Sequence, residues 1–224
     1  QLEALIERPR PCIAVIYGRR RVGKSELIRQ ATQGRNLLSF EGLEGQSKQK
    51  QIRNFLFQLA EQTGTERKQI SNWQEALILL RDLTAHGQWV IVLDEFQWIA
   101  NYQNELVSVV KMIWERYLSR NPEVTLILCG SIASFMKSKV LKSSALYGRT
   151  DYELNLRALQ LHEIAQFFPE KGTDEILETA MLVGGIPKYL ELVAEHPSVY
   201  DAIEGLAFSP SGFFQTEYDR LFAS

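Results

Sequence analysis

The sequence has little cysteine, little net charge and no long apolar run. Its two cysteines, Cys12 and Cys129, lie far apart on predicted strands, without the spacing of a metal site, so we interpret them as buried thiols of a reducing compartment. A formal net charge of −2 creates no general attraction to nucleic acid or membrane. Because no apolar run reaches membrane-spanning length and no signal peptide is visible, we expect a cytoplasmic protein without a membrane partner.

The most informative stretch runs from Ile13 to Gln30. An apolar run, predicted to be a buried strand, leads into the pattern G-x-x-x-x-G-K-[ST]. The glycines let backbone N–H groups approach phosphate oxygens, and the positive end of the following helix points at the same place. A glycine-bounded turn with a solvated lysine is the alternative, and the flanking strand and helix disfavour it. The predicted nucleotide-binding residues are Gly18, Arg19, Arg20, Arg21, Val22, Gly23, Lys24, Ser25 and Glu26.

A second motif supplies the acidic groups that a nucleotide site needs. The apolar strand Trp89–Asp94 ends in an Asp-Glu pair, which is the Walker B pattern. We expect Ser25 and Asp94 to bind Mg²⁺, Lys24 to contact the reacting phosphates, and Glu95 to act as the general base. Two acids at a strand end are common, but this pair follows a phosphate loop at the expected interval, which favours the functional interpretation.

Three further features carry weaker signals. Ser131 follows a predicted strand, where its hydroxyl senses the γ-phosphate as a catalytic group, caps the helix through Phe135 or does both, with Ser134 close enough to compete for the first role. Gln97 either supports the acidic pair or is an exposed amide. Arg149 precedes the last predicted strand, where a guanidinium either contacts phosphate in catalysis or forms a structural salt bridge.

Two later segments are open to interpretation as well. The basic stretch with Lys137, Lys139 and Lys142 is able to contact a polyanion, but a solvated loop is the favoured interpretation. Beyond Leu159 the pattern changes to short helices, two of which are joined by Gly184-Gly185-Ile186-Pro187. This turn permits close backbone approach and places proline at the start of a helix.

Taken together, four motifs in this order resemble the archaeal-type ATPase family, which lies within the signal-transduction ATPases with numerous domains and is related to AAA+ proteins. The motifs are Gly18–Ser25, Leu93–Gln97, Leu146–Thr150 and Gly184–Leu190. The resemblance implies that Pro187 packs near the adenine base and reports the nucleotide state. It also implies that a winged-helix segment follows the helices.

The predicted fold class is α/β, a three-layer P-loop NTPase sandwich with a parallel sheet of order 5-1-4-3-2, followed by a small helical lid. We expect an ATPase core over residues 1–157, the lid over 158–208 and the beginning of a winged-helix segment over 209–224. The predicted strands are Cys12–Tyr17, Asn36–Glu41, Trp89–Asp94, Val124–Cys129 and Asp151–Leu156.

These features predict Mg²⁺-dependent binding and hydrolysis of ATP, used as a conformational switch. ATP or ADP and Mg²⁺ are the expected cofactors, with an unidentified protein partner and homo-oligomerisation left open. One alternative is a scaffold that holds ADP and turns over slowly. Another is a DNA-loading or DNA-remodelling ATPase whose DNA contacts lie in a domain outside this sequence.

Overall fold

The computed structural model describes residues 1–222, with side chains described as far as Glu217. Its sheet has the order β2-β3-β4-β1-β5, with all neighbouring strands parallel, and this confirms the predicted order. The strands are β1 (Cys12–Tyr17), β2 (Asn36–Glu41), β3 (Trp89–Asp94), β4 (Val124–Gly130) and β5 (Tyr152–Asn155).

Helices cover both faces of this sheet, as the apolar runs of its central strands require. They are α1 (Leu2–Ile6), α2 (Lys24–Ala31), α3 (Lys48–Thr63), α4 (Trp73–Leu83), α5 (Phe96–Ile99), α6 (Asn104–Arg116) and α7 (Ala133–Phe135), with a 3-10 turn at Leu118–Arg120 and a π-helix at Met136–Leu141. The basic stretch predicted as a loop therefore contains a π-helix. No helix among residues 1–222 is both long and apolar enough to cross a membrane.

The two faces of the sheet are packed by different helices. On one face, side chains of α3, α4 and α6 form the larger core with inward residues such as Ile13, Phe40 and Ile91. On the other face, α1 and α2 cover Ala14, Ile16 and their neighbours. Cys12 and Cys129 are buried free thiols, as predicted. The result is a three-layer α/β arrangement whose strands all present their carboxyl ends at one edge.

Contacts divide the chain into two units, and the second contains residues 21–23 and the chain from Arg157 onward. Its helices are α8 (Leu161–Phe167), α9 (Thr173–Val183), α10 (Pro187–Ala194), α11 (Val199–Ile203), a π-helix (Glu204–Phe208) and α12 (Phe213–Phe222). They enclose a separate apolar core that includes Ile164, Leu190 and Val193. The role of these helices as a lid and the winged-helix identity of residues 209–224 stay predictions, and the last two residues of that range lie outside the described chain.

The corner between α9 and α10 has the predicted features. Pro187 is the first residue of α10, and Gly184 has a φ of +68°. A Cβ on Gly185 would lie 1.9 Å from the carbonyl oxygen of Leu159, whose N–H donates to the carbonyl of Gly185 at 2.7 Å. Only glycine leaves room for this approach of two backbone segments.

Candidate functional site

The phosphate loop lies between the carboxyl end of β1 and the start of α2. Lys24 is the first residue of α2, and its side chain is buried, with 6% of its surface exposed. Its Nζ donates hydrogen bonds to the carbonyl oxygens of Gly18 and Arg19, each at 3.0 Å. The loop therefore closes around the ammonium group of its own lysine. Gly23, with a φ of +92°, provides the backbone conformation that precedes the helix.

The other charged residues of the loop have partners outside it. Arg20 pairs with Glu44, which follows β2, at 2.6 Å, and this hydrogen bond raises the pKa of Arg20. Arg21 groups with the second unit, where its guanidinium lies 2.6 Å from the carboxylate of Glu217. The Arg19 side chain is exposed, whereas Val22 is buried. The arginines thus occupy different environments although they are consecutive.

The residues predicted to bind a metal lie side by side. Ser25 Oγ donates to Asp94 Oδ2 at 2.9 Å, and Asp94 is the last residue of β3. Among the side chains that the structure describes, no group of three or more His, Cys, Asp or Glu residues could hold a metal ion. One hydroxyl and one carboxylate are the hard oxygen donors that suit Mg²⁺, which keeps several waters and uses substrate phosphates as further ligands. The two side chains therefore fit a metal that binds together with a nucleotide.

Negative charge accumulates around this pair. Glu41 lies opposite Asp94 in the register of β2 and β3, and partial desolvation together with the charges of Asp94 and Glu95 raises its pKa, although its side chain remains exposed. Burial, followed by the charge and hydrogen bond of Asp94, raises the pKa of the Cys129 thiol well above its usual value. The thiol is thus kept protonated beside the carboxylate. A local excess of negative charge of this kind favours a cation.

On the helix side of the loop, Glu26 has a different environment. It accepts hydrogen bonds from Arg29 and Gln30, and these lower its pKa to about 2. The side chain is exposed and lies in the first turn of α2, where negative charge is favourable to a helix. Its described contacts are those of a helix-surface residue.

The candidate base Glu95 has a left-handed backbone with a φ of +49°. Ser131 Oγ donates to Glu95 Oε2 at 2.7 Å, which joins the residue after β3 to the residue after the neighbouring strand β4. The helix after Ser131 begins at Ala133, and its N-cap is Ile132. The N-cap interpretation of Ser131 is therefore wrong, because its hydroxyl is directed to Glu95 and the helix begins one residue later than expected.

The sequence did not reveal the environment of Gln97. Its side chain is fully buried, so the exposed-amide interpretation is wrong. Its Nε2 donates to Glu95 Oε2 and to Ser131 Oγ, the latter at 3.0 Å. A Cβ on Gly130 would lie 2.7 Å from Gln97 Oε1, so the glycine that ends β4 leaves space for this amide. The available signal was a single amide within the apolar run Phe96–Ile99, because such a residue is either buried with partners or interrupts the core.

Arg149 is not brought to the phosphate loop. Its Nε donates to Glu115 at 2.6 Å, so the salt-bridge alternative describes its contact. Two residues later, the N–H of Asp151 donates to the carbonyl of Ile13, near the start of β1. The phosphate loop follows the opposite end of β1, about 13 Å further on at roughly 3.3 Å per residue. A parallel sheet separates the two ends of its strands, so a residue before β5 faces the wrong edge.

A model of an ATPase domain found predominantly in Archaea matches residues 1–193. An uncharacterized protein of Methanocaldococcus jannaschii, MJECL04, is 30% identical over 180 residues, which cover 80% of this chain and 38% of the relative. The chain thus spans about two fifths of the length of that relative.

Two solved structures support the same fold. The Walker-type ATPase PABY2304 of Pyrococcus abyssi superposes with a TM-score of 0.66 at 20% identity, over 98% of this chain and 72% of that one. The ORC2 protein of Aeropyrum pernix, solved in ADPNP–ADP complexes, superposes with a TM-score of 0.60 at 16% identity. The match covers 87% of this chain and 60% of that one. The chain belongs to the archaeal ATPase domain family, and it is a P-loop ATPase domain.

Proposed function

We propose that this ATPase domain binds ATP with Mg²⁺ at the phosphate loop, hydrolyses it with Glu95 as general base, and uses the nucleotide state as a conformational switch. The observation that carries the proposal is the pairing of Ser25 with Asp94 at 2.9 Å, with Glu95 as the next residue. The hydroxyl, the carboxylate and the base thereby meet at one edge of the sheet.

Each side chain has a distinct task in this proposal. Bound Mg²⁺ would neutralise charge on the phosphate oxygens. Ser25 and Asp94 supply its protein ligands, and the ammonium of Lys24 turns from the loop carbonyls to the phosphates. Glu95 accepts a proton from the attacking water, and Ser131 holds one oxygen of that carboxylate.

Glu95→Gln tests this assignment. The variant keeps the size of the side chain and a hydrogen-bond acceptor but removes the basic oxygen, so we expect ATP binding to persist while kcat falls roughly 10²–10⁴-fold. Phosphate release in the steady state measures kcat, and calorimetry with a non-hydrolysable ATP analogue measures binding. The matched control is Glu123→Gln, which makes the same chemical change at an exposed residue directly before β4, at the opposite end of that strand from Ser131.

Two outcomes would contradict the proposal. Turnover of Glu95→Gln at the parent rate would mean that another group acts as base. A parent protein that binds ATP but does not release phosphate would instead indicate a scaffold that holds nucleotide.

A further inference from the structure

The amide of Gln97 is an unusual group to find in the core. Gln97 is fully buried, and the residues on either side of it in α5 include the buried Phe96 and Ile99. Its Oε1 has no hydrogen-bond partner among the described residues. A buried polar side chain with an unsatisfied acceptor is less favourable for stability than an apolar side chain of the same size. Its presence therefore calls for a role beyond packing.

The donors around Glu95 define that role. Gln97 Nε2 uses one hydrogen for Glu95 Oε2 and the other for Ser131 Oγ. Ser131 in turn donates to the same Oε2 at 2.7 Å, so the three side chains form a closed set of hydrogen bonds. If the Gln97 amide were rotated by 180°, its oxygen would face the carboxylate oxygen of Glu95. The repulsion between these two oxygens therefore determines the orientation of the amide.

Both donors converge on one oxygen of the carboxylate. Oε2 of Glu95 accepts from Gln97 and from Ser131, whereas no described group donates to Oε1. One oxygen is thereby anchored and the other is left to accept a proton. The left-handed backbone of Glu95 is an uncommon conformation for a residue with a side chain, and the two donors stabilise the carboxylate position that this backbone creates.

We propose that Gln97 is a positioning residue for ATP hydrolysis: together with Ser131 it anchors Oε2 of Glu95 so that Oε1 faces the attacking water. This inference rests on the proposed function, because it assigns Gln97 a task only if Glu95 is the base. The described hydrogen bonds of the Gln97 side chain go to Glu95 and Ser131. Gln97 acts through the carboxylate.

Gln97→Met in the full chain tests the inference. Methionine has nearly the same volume and suits an apolar site, but it removes both hydrogen bonds. We expect kcat to fall roughly 10–100-fold, the scale of a misplaced catalytic group. The KM for ATP and the Kd for ADP should change by less than about twofold, because substrate binding uses other side chains. Ile99→Val, a buried change on the same helix, is the control for altered packing and should keep the parent kcat.

A double-variant cycle separates positioning from structure. If Gln97 acts through the carboxylate, then adding Gln97→Met to Glu95→Gln should slow turnover by less than about threefold further. An equal slowing in both backgrounds would overturn the inference, as would a parent-like kcat for Gln97→Met. If Gln97→Met unfolds below the assay temperature, Gln97→Asn serves in its place, since it withdraws the amide by one methylene, and the same two results decide.

The same series distinguishes the two proposals. Normal turnover in Glu95→Gln removes the base assignment and the inference with it. Slow turnover in Glu95→Gln combined with normal turnover in Gln97→Met removes the inference alone.

Discussion

Replacing Lys24 by methionine should weaken nucleotide binding without unfolding the domain. The side chain is buried, and its Nζ donates hydrogen bonds to the carbonyl oxygens of Gly18 and Arg19. Methionine fills a similar volume and cannot donate a hydrogen bond. The substitution therefore removes the cation while leaving the packing of the loop nearly intact.

The size of the effect follows from the charge and its present partners. One unit charge 3 Å from another contributes about 5–6 kcal/mol at an effective dielectric constant of 20. To reach phosphate, the ammonium gives up its two hydrogen bonds to carbonyls, which at about 1.5 kcal/mol each contribute about 3 kcal/mol. The difference is about 2.5 kcal/mol, which corresponds to a loss of roughly 10²-fold in affinity for ADP.

Calorimetric titration with ADP and Mg²⁺ measures this loss. The matched control is Arg29→Met, which removes one positive charge from the same helix at an exposed ion pair with Glu26. We expect the control to bind ADP within about twofold of the parent, because exposed charges are screened. A Kd for Lys24→Met within about threefold of the parent, in a protein that melts normally, would refute the placement of phosphate at this lysine.

Two further predictions concern residues outside the loop. Arg149→Ala should leave turnover of the monomeric protein unchanged and lower the free energy of unfolding by less than about 1 kcal/mol, because it loses a partly exposed ion pair with Glu115 and a long hydrogen bond to the carbonyl of Tyr147. Phosphate release and chemical unfolding check both parts, and a large loss of turnover would show that the guanidinium does reach a nucleotide. Pro187→Ala should speed ADP release roughly 5–30-fold if the proline packs on the adenine, on the scale of burying a few methylenes. Stopped-flow release of a fluorescent ADP analogue measures this, and an unchanged rate would mean that the corner is purely structural.

The phosphate loop was accessible from the sequence because its signal is local, whereas the strand order followed from the resemblance to the archaeal-type ATPase family. An apolar run followed by closely spaced glycines, a lysine and a serine leaves few alternative structures. The sequence also predicted that Ser25 and Asp94 share one Mg²⁺, and the structure has their side chains hydrogen-bonded at the edge where the parallel strands end. In both cases the predicted chemistry depends on residues at or directly after the carboxyl end of a strand.

The interpretations that the sequence left open concern side chains whose environment depends on contacts with distant parts of the chain. For Gln97 the sequence left two interpretations open, a side chain that supports the acidic pair and an exposed amide. One amide in an apolar run does not show which side chains of other elements lie near it. Ser131 was compatible with a helix cap, because its residue type suits that position equally well. For Arg149 the sequence left a phosphate contact and a structural salt bridge open, although a residue that precedes a strand lies at the far edge of a parallel sheet.

By itself, therefore, the sequence determined the nucleotide-binding loop, the acidic pair and the parallel sheet, because hydrophobic pattern and glycine spacing act over neighbouring residues. Tertiary structure decided which oxygen of Glu95 is anchored and by which donors. Ser131 and Glu95 are 36 residues apart, and their contact exists only because β3 and β4 are adjacent. Hydrogen bonds of this kind depend on side-chain direction and on the left-handed turn at Glu95, neither of which a linear pattern encodes.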